Sequence, residues 1–276
     1  MLGASAAFAC MAATVKLIAL RGVPLGQTLF YRGAVALLLT GVYMRFSGVS
    51  FITPHWKAHL QRGVAGFVGM ILYFGGIRYL PLSAAITLNY TSPLVLAGTL
   101  LVMHHERPPA LMVVAMFGGF AGILLLLHPA YDSSQWFGVL LALGSSVTAV
   151  IAALNIRSLG RLDEPIVRTV AYFSLYVTIG SLPWFILSQP GQIDPGSAVY
   201  LAAMGVFATL GQVLLTLAYQ RGHTQLVSLL GYSQVVFTTL LGMGLWGEHP
   251  GMSSWLAIAL IILSGAAATV FMRSRS

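Results

Sequence analysis

The chain has 276 residues, of which 58% are hydrophobic and only 7% charged, and its mean hydropathy is +0.87. Soluble domains carry about 25% charged residues, so water cannot be the solvent for this surface and most of the chain must lie in a bilayer. The net charge of +8 would suggest nucleic acid in a soluble protein, but here the basic residues sit between apolar runs without interleaved aromatics, which argues against nucleic acid and for membrane topology.

A spanning helix needs roughly 20 apolar residues. In chain order that ruler predicts ten spans: Leu2–Leu20, Gln27–Tyr43, Arg62–Leu80, Leu82–His104, Ala110–Leu127, Trp136–Ser158, Ile166–Leu187, Ala198–Gln220, Thr224–Trp246 and Ser253–Met272. The first reads as a transmembrane helix rather than a cleaved leader, because its apolar run is long and lacks a charged start. The connections are short and carry Pro, Gly or charge. Cys10 has no partner cysteine and no metal-ligand spacing around it, so it reads as a small apolar helix residue.

Orientation follows from Lys and Arg. With the N-terminus in the cytoplasm, the cytoplasmic segments hold Arg45, Lys57, Arg62, Arg107, Arg157, Arg161, Arg168, Arg221, Arg273 and Arg275. The opposite side keeps Arg21 and Arg78, with Lys16 and Arg32 just inside helix ends, so both termini are predicted to be cytoplasmic. Ten spans also divide into two halves of five, 1–128 and 136–276, and an odd number per half forces the second copy upside down. A shift of 142 residues lays Leu88, Tyr90, Glu106 and Pro108 on Leu230, Tyr232, Glu248 and Pro250. A shift of 136 lays Arg21 and Arg32 on Arg157 and Arg168.

The residues also carry a resemblance. Lys16, Pro24 and Phe30-Tyr31-Arg32 are followed by Tyr79-Leu80-Pro81-Leu82-Ser83-Ala84-Ala85, by Tyr90-Thr91-Ser92-Pro93-Leu94, and by Glu106 closing the fourth span. The second half repeats the theme in Tyr219-Gln220-Arg221-Gly222, Gly231-Tyr232-Ser233 and Gly247-Glu248. This pattern resembles the EamA branch of the drug/metabolite transporter superfamily over essentially the whole chain. The resemblance implies an all-α membrane protein of ten helices in two inverted five-helix repeats around a central cavity. It further implies a secondary transporter of a small organic metabolite, such as an amino acid or related compound, acting by alternating access as an exporter or exchanger. The alternative is a lipid-carrier flippase or a vitamin- or nucleoside-type importer. His104-His105 before Glu106, and the lack of a ninth-span proline to match Pro93, depart from the pattern.

Polar groups in hydrocarbon are costly and face the bundle interior. Asn89, Tyr90, Thr91 and Ser92 precede Pro93, which has no N–H for the Asn89 carbonyl. The matching place in the ninth span is Gly231-Tyr232-Ser233-Gln234. Paired interruptions in opposite halves are the best sequence pointer to a substrate site. The candidate substrate-binding residues are therefore Asn89, Tyr90, Ser92, Pro93, Tyr232, Gln234, Gln212, Tyr73 and Ser145; helix–helix packing is the competing reading. Gln212 stands out because an amide facing lipid would leave donor and acceptor unpaired.

All six acidic residues are predicted in loops or at helix ends, and so are all seven histidines. Lys16 and Arg32 read as snorkelling side chains, as attractors for a carboxylate or phosphate, or as partners of Glu248 in an outer gate, with Arg168 and Glu106 as the mirrored inner pair. No metal and no cofactor are expected. An enzyme is disfavoured, since no Gly-x-Ser-x-Gly and no mid-span carboxylate occurs. The partners expected are a small-molecule substrate and membrane lipids, in a bacterial inner (plasma) membrane; a monomer suffices and a dimer is compatible with the sequence.

Overall fold

The structure is a computed structural model that describes residues 1–80, 82–103, 109–127, 135–188, 193–247 and 249–273. Among these, the chain forms twelve helices: α1 (Leu2–Leu20), α2 (Leu25–Ser47), α3 (Trp56–Tyr79), α4 (Leu82–Asn89), α5 (Ser92–Met103), α6 (Ala110–Leu127), α7 (Trp136–Arg161), α8 (Ile166–Leu187), α9 (Pro195–Arg221), α10 (Thr224–Leu230), α11 (Ser233–Trp246) and α12 (Met252–Arg273). They make ten stretches long and apolar enough to cross a membrane, because α4 with α5, and α10 with α11, each form one span broken in the middle. The protein is an integral, multi-pass membrane protein. Its outward side chains agree: Leu38, Val114, Phe117, Ile179, Ile262 and Leu263 are exposed, a surface only lipid can solvate.

The predicted spans hold within a turn at most ends, and α1, α6 and α8 match to the residue. The third is the exception. It begins at Trp56, six residues before the predicted Arg62, because Lys57, His59 and Gln61 hide its first turns from a hydropathy ruler. His59 was expected in a loop or at a helix end and Arg62 at the start of the span; both lie in the first two turns of α3, with buried side chains.

Chain contacts group into two compact units, and each draws helices from both sequence halves. The first unit takes residues 1–67 and 155–221, the second residues 68–154 and 222–276. Lipid tails are as apolar as leucine, so spanning helices associate by close packing at small residues rather than by the hydrophobic effect. In the first unit α1 packs on α9, and α2 packs on α8 and α9. The face of α1 so buried is Ala4, Ser5, Ala7, Phe8, Ala9 and Ala13. A Cβ at Gly33 of α2 would lie 2.8 Å from the Thr178 backbone nitrogen of α8, so the two backbones meet there directly. In the second unit α6 packs on α12. Gly118 and Gly122, one turn apart on α6, face Ser264 and the Ala257 carbonyl, where a Cβ would come within 2.9 Å of each. The core behind them is Met112, Met116, Ile123, Leu229, Tyr232, Ile258 and Ile261.

Trp56, Trp136, Trp184 and Trp255 lie near helix ends and are 41–63% exposed, as interface anchors should be.

Candidate functional site

In the second unit the two broken spans shape a polar cluster. Thr91 and Tyr90 form the turn between α4 and α5, and Gly231 and Tyr232 the turn between α10 and α11. At the second break the backbone tightens to i to i−3 hydrogen bonds: Gly231 N–H to Ser228, Tyr232 N–H to Leu229, Gln234 N–H to Gly231 and Val235 N–H to Tyr232. This is a 3₁₀ turn, a common mark of a hinge within a helix. At the first break Pro93 offers no N–H, and the Thr91 hydroxyl donates to the Leu88 carbonyl at 2.7 Å.

Side chains then tie the first break to α7. The Asn89 amide Nδ2 donates to Ser145 Oγ at 2.9 Å, and Ser145 donates on to the Ala142 carbonyl at 2.6 Å. Thr91 Oγ1 also lies 3.1 Å from Ser146 Oγ, within hydrogen-bond reach. The rings of Tyr90 and Tyr232 meet edge to face, with centroids 6.1 Å apart at 69°. Tyr232 is 1% exposed and its hydroxyl has no hydrogen-bond partner among the described residues. Gly119 of α6 makes room for that ring, since a Cβ there would lie 2.6 Å from it. Tyr73 lies within electrostatic range of the Tyr90 phenol, and its ring packs edge-on against Phe74. Ser92 opens α5, Pro93 is buried behind it, and Gln234 is partly buried in the first turn of α11. The cluster offers neutral hydrogen-bonding groups and aromatic faces.

The first unit holds two charged clusters. One is centred on Arg62, whose Nη2 donates to Gln212 Oε1 at 3.3 Å and whose guanidinium lies 4.2 Å over the Phe173 ring. Arg32, partly buried on α2, lines the adjacent small cavity with Ser174, Phe173 and Gln212. Lys16 is exposed on α1. The other cluster is built on Glu164, between α7 and α8. Its carboxylate accepts from Thr53 Oγ1, bonds His59 Nε2 at 3.1 Å, and pairs with Arg168 Nη1 at 2.8 Å. Its backbone carbonyl accepts from Gln220 of α9. Arg168 Nε also donates to the Ser50 carbonyl, and Tyr172 stacks between His59 and Phe51. Burial pushes the Glu164 carboxyl up, but the hydrogen bonds from Thr53, Arg168 and His59 outweigh it and hold it below its ordinary value of 4.5.

Arg168 is thus engaged by Glu164. Glu106, His104, His105 and Glu248 lie outside the described residues. The Glu164 cluster is what sequence reasoning missed. Part of it was readable, since Glu164 and Arg168 are four residues apart at a helix start, a spacing that brings side chains together. The contributions of Thr53 and His59 are separated from Glu164 by more than 100 residues and left no local signal.

The family model described as "EamA-like transporter family" matches residues 1–128 and 136–270. The chain belongs to the EamA-like transporter family. It is therefore a membrane transporter rather than an enzyme. The pseudopaline exporter CntI of Pseudomonas aeruginosa is 29% identical over 263 residues, covering 95% of this chain and 91% of its own. The riboflavin transporter of Vibrio cholerae is 26% identical and covers 100% of this chain and 93% of its own. A protein of known crystal structure, 22% identical, superposes with a TM-score of 0.86 over 99% of this chain and 97% of its own, which shows the fold. Relatives of this kind mark the EamA-like chain as a transporter of small molecules.

Proposed function

We propose that this EamA-like protein is a secondary transporter of a small organic metabolite such as an amino acid or related compound, working as an exporter or exchanger in a bacterial inner membrane. The observation that carries the reading is the meeting of the two broken spans, one from each sequence half, at Tyr90 and Tyr232, with Asn89 held by Ser145 beside them. Broken spans with polar groups at mid-membrane are how transporters of several folds hold substrates. The two 3₁₀ and proline breaks supply the hinges that alternating access about a cavity lined by both repeats requires. Asn89, Tyr90, Ser92, Pro93, Tyr73, Ser145, Tyr232 and Gln234 are the proposed contact residues, and the Tyr90 and Tyr232 rings suit a substrate with an apolar or flat portion. The 29% identity to an exporter over nearly the full length of both chains favours export.

Basic side chains support cytoplasmic termini: Lys57, Arg157, Arg161 and Arg221 gather at the end of the first unit that holds Glu164, whereas the opposite end keeps Arg21 paired with Asp194 at 3.1 Å. Riboflavin-type import is the second reading, favoured by the full-length match to a riboflavin transporter.

Uptake into everted membrane vesicles, measured over a panel of amino acids, amino-acid conjugates and riboflavin, tests the proposal. Tyr90→Ala and Tyr232→Ala should each lower the rate of the transported compound by about tenfold or more, the effect of losing ~1.4 kcal/mol of binding. Trp255→Ala, at a helix end, should leave it unchanged. Wild-type rates in both tyrosine variants would remove the site from the broken spans.

A further inference from the structure

Arg62 is a charge that the fold encloses without neutralising. It is 4% exposed on α3. Of its donors, Nη2 reaches an amide oxygen, Gln212 Oε1, and the Nε and Nη1 groups reach no acceptor among the described residues. Phe173 covers its face, but an aromatic ring offers only a quadrupole. Among the described residues no carboxylate pairs with it, and the neighbouring unit charge is of the same sign, on Arg32. Glu164 is already committed to Thr53, His59 and Arg168. The backbone has nonetheless been fitted to the guanidinium. A Cβ at Gly66 would stand 2.3 Å from Nη1 and 2.7 Å from the Phe173 ring, so glycine keeps that space open. A buried arginine of a purely structural kind is expected beside a carboxylate; this guanidinium is closely seated without one among the described residues.

We propose that Arg62, positioned by Gln212 and Phe173 and reinforced by Arg32, is the subsite for an oxyanion, a carboxylate or phosphate, carried by the transported compound. This deepens the transporter reading and rests on it. Guanidinium matches both oxyanions in charge and in planar hydrogen bonding. The cavity bordered by Arg32, Phe173, Ser174 and Gln212 measures about 10 Å³ to the centre of a water molecule, room for about one water. Arg62 itself does not line this cavity, so an oxyanion reaches its guanidinium only as the pocket widens, which makes its affinity depend on conformation, as a transported group requires.

The test is thermal unfolding of the purified full-length protein at constant ionic strength in sodium succinate, sodium phosphate or sodium chloride, for wild type, R62M and R62K. Succinate or phosphate should raise the wild-type transition by several degrees over chloride, through binding to the folded state. That shift should vanish in R62M, and chloride-bathed R62M should unfold at or above the wild-type temperature, because methionine fills similar space without the unneutralised charge. R62K keeps charge but not the guanidinium fork, and its shift should fall to less than about half that of wild type. Succinate alone assigns a carboxylate, phosphate alone a phosphate, and both a general oxyanion seat. No shift in wild type, an undiminished shift in R62K, or an R62M that folds less stably in chloride overturns the proposal. These outcomes read binding alone, so a failure here is distinguishable from a failure of the Tyr90 and Tyr232 transport results.

Discussion

Replacing Glu164 with alanine is expected to lower the stability of the protein by about 3 kcal/mol, because removing one member of a buried ionic cluster leaves the others desolvated and unpaired. Glu164 is 5% exposed and holds together the 48–55 loop through Thr53, α3 through His59, α8 through Arg168 and α9 through Gln220. Its loss strands His59, which is fully buried, and leaves the Arg168 guanidinium, among the described residues, with the Ser50 carbonyl alone. In detergent the thermal transition should fall by on the order of 5–10 °C. Arg168→Ala should add little in the Glu164→Ala background, since the two act as one unit. A loss under about 1 kcal/mol would mean that water replaces these contacts, as it does for surface pairs. The same residue sets an acid limit. Its folded carboxyl titrates below its ordinary value of 4.5, so the contribution is fully present above that pH and is lost as pH falls through the lower, folded value. Melting temperature followed downward from neutral pH should decline more steeply below pH 4.5 in wild type than in Glu164→Gln.

Two alanine substitutions on one helix should act with opposite signs. At Gly33 a Cβ would lie 2.6 Å from Thr178 Oγ1, 2.8 Å from its nitrogen and 3.1 Å from its Cα. Backbone cannot swing aside as a flexible side chain can, so α2 and α8 must separate. Overpacking of this kind costs about 1–3 kcal/mol. At Gly41, two turns further along α2, nothing lies within 4 Å. There alanine meets open space and gains helix propensity, up to ~1 kcal/mol. Thermal unfolding of Gly33→Ala and Gly41→Ala side by side should show a lowered transition for the first and an unchanged or raised one for the second. Equal behaviour would mean that the α2–α8 contact is looser than its geometry.

The fourth and ninth spans show how far sequence alone reaches. Pro93 lacks an N–H and Gly231 lacks a side chain, so both interruptions are local chemistry and could be placed from the residues. The ten spans are readable for a similar reason. A bilayer forces every backbone group to be satisfied within its own helix, and a 20-residue apolar run records that demand locally.

What the sequence could not give is which polar residues come to face each other. Gln212 is legible as a buried amide, but its partner Arg62 lies 150 residues away and, at the predicted start of the third span, reads only as a topology charge. Glu164 looks like an ordinary loop carboxylate until Thr53 and His59 arrive from more than 100 residues upstream. Composition and hydropathy therefore determined the solvent and the number of spans, while individual residues and motifs carried the breaks and the family resemblance. The tertiary structure alone decided which charges are neutralised and which are left waiting, because the cost of a buried charge depends on what packs around it and not on its neighbours in the chain.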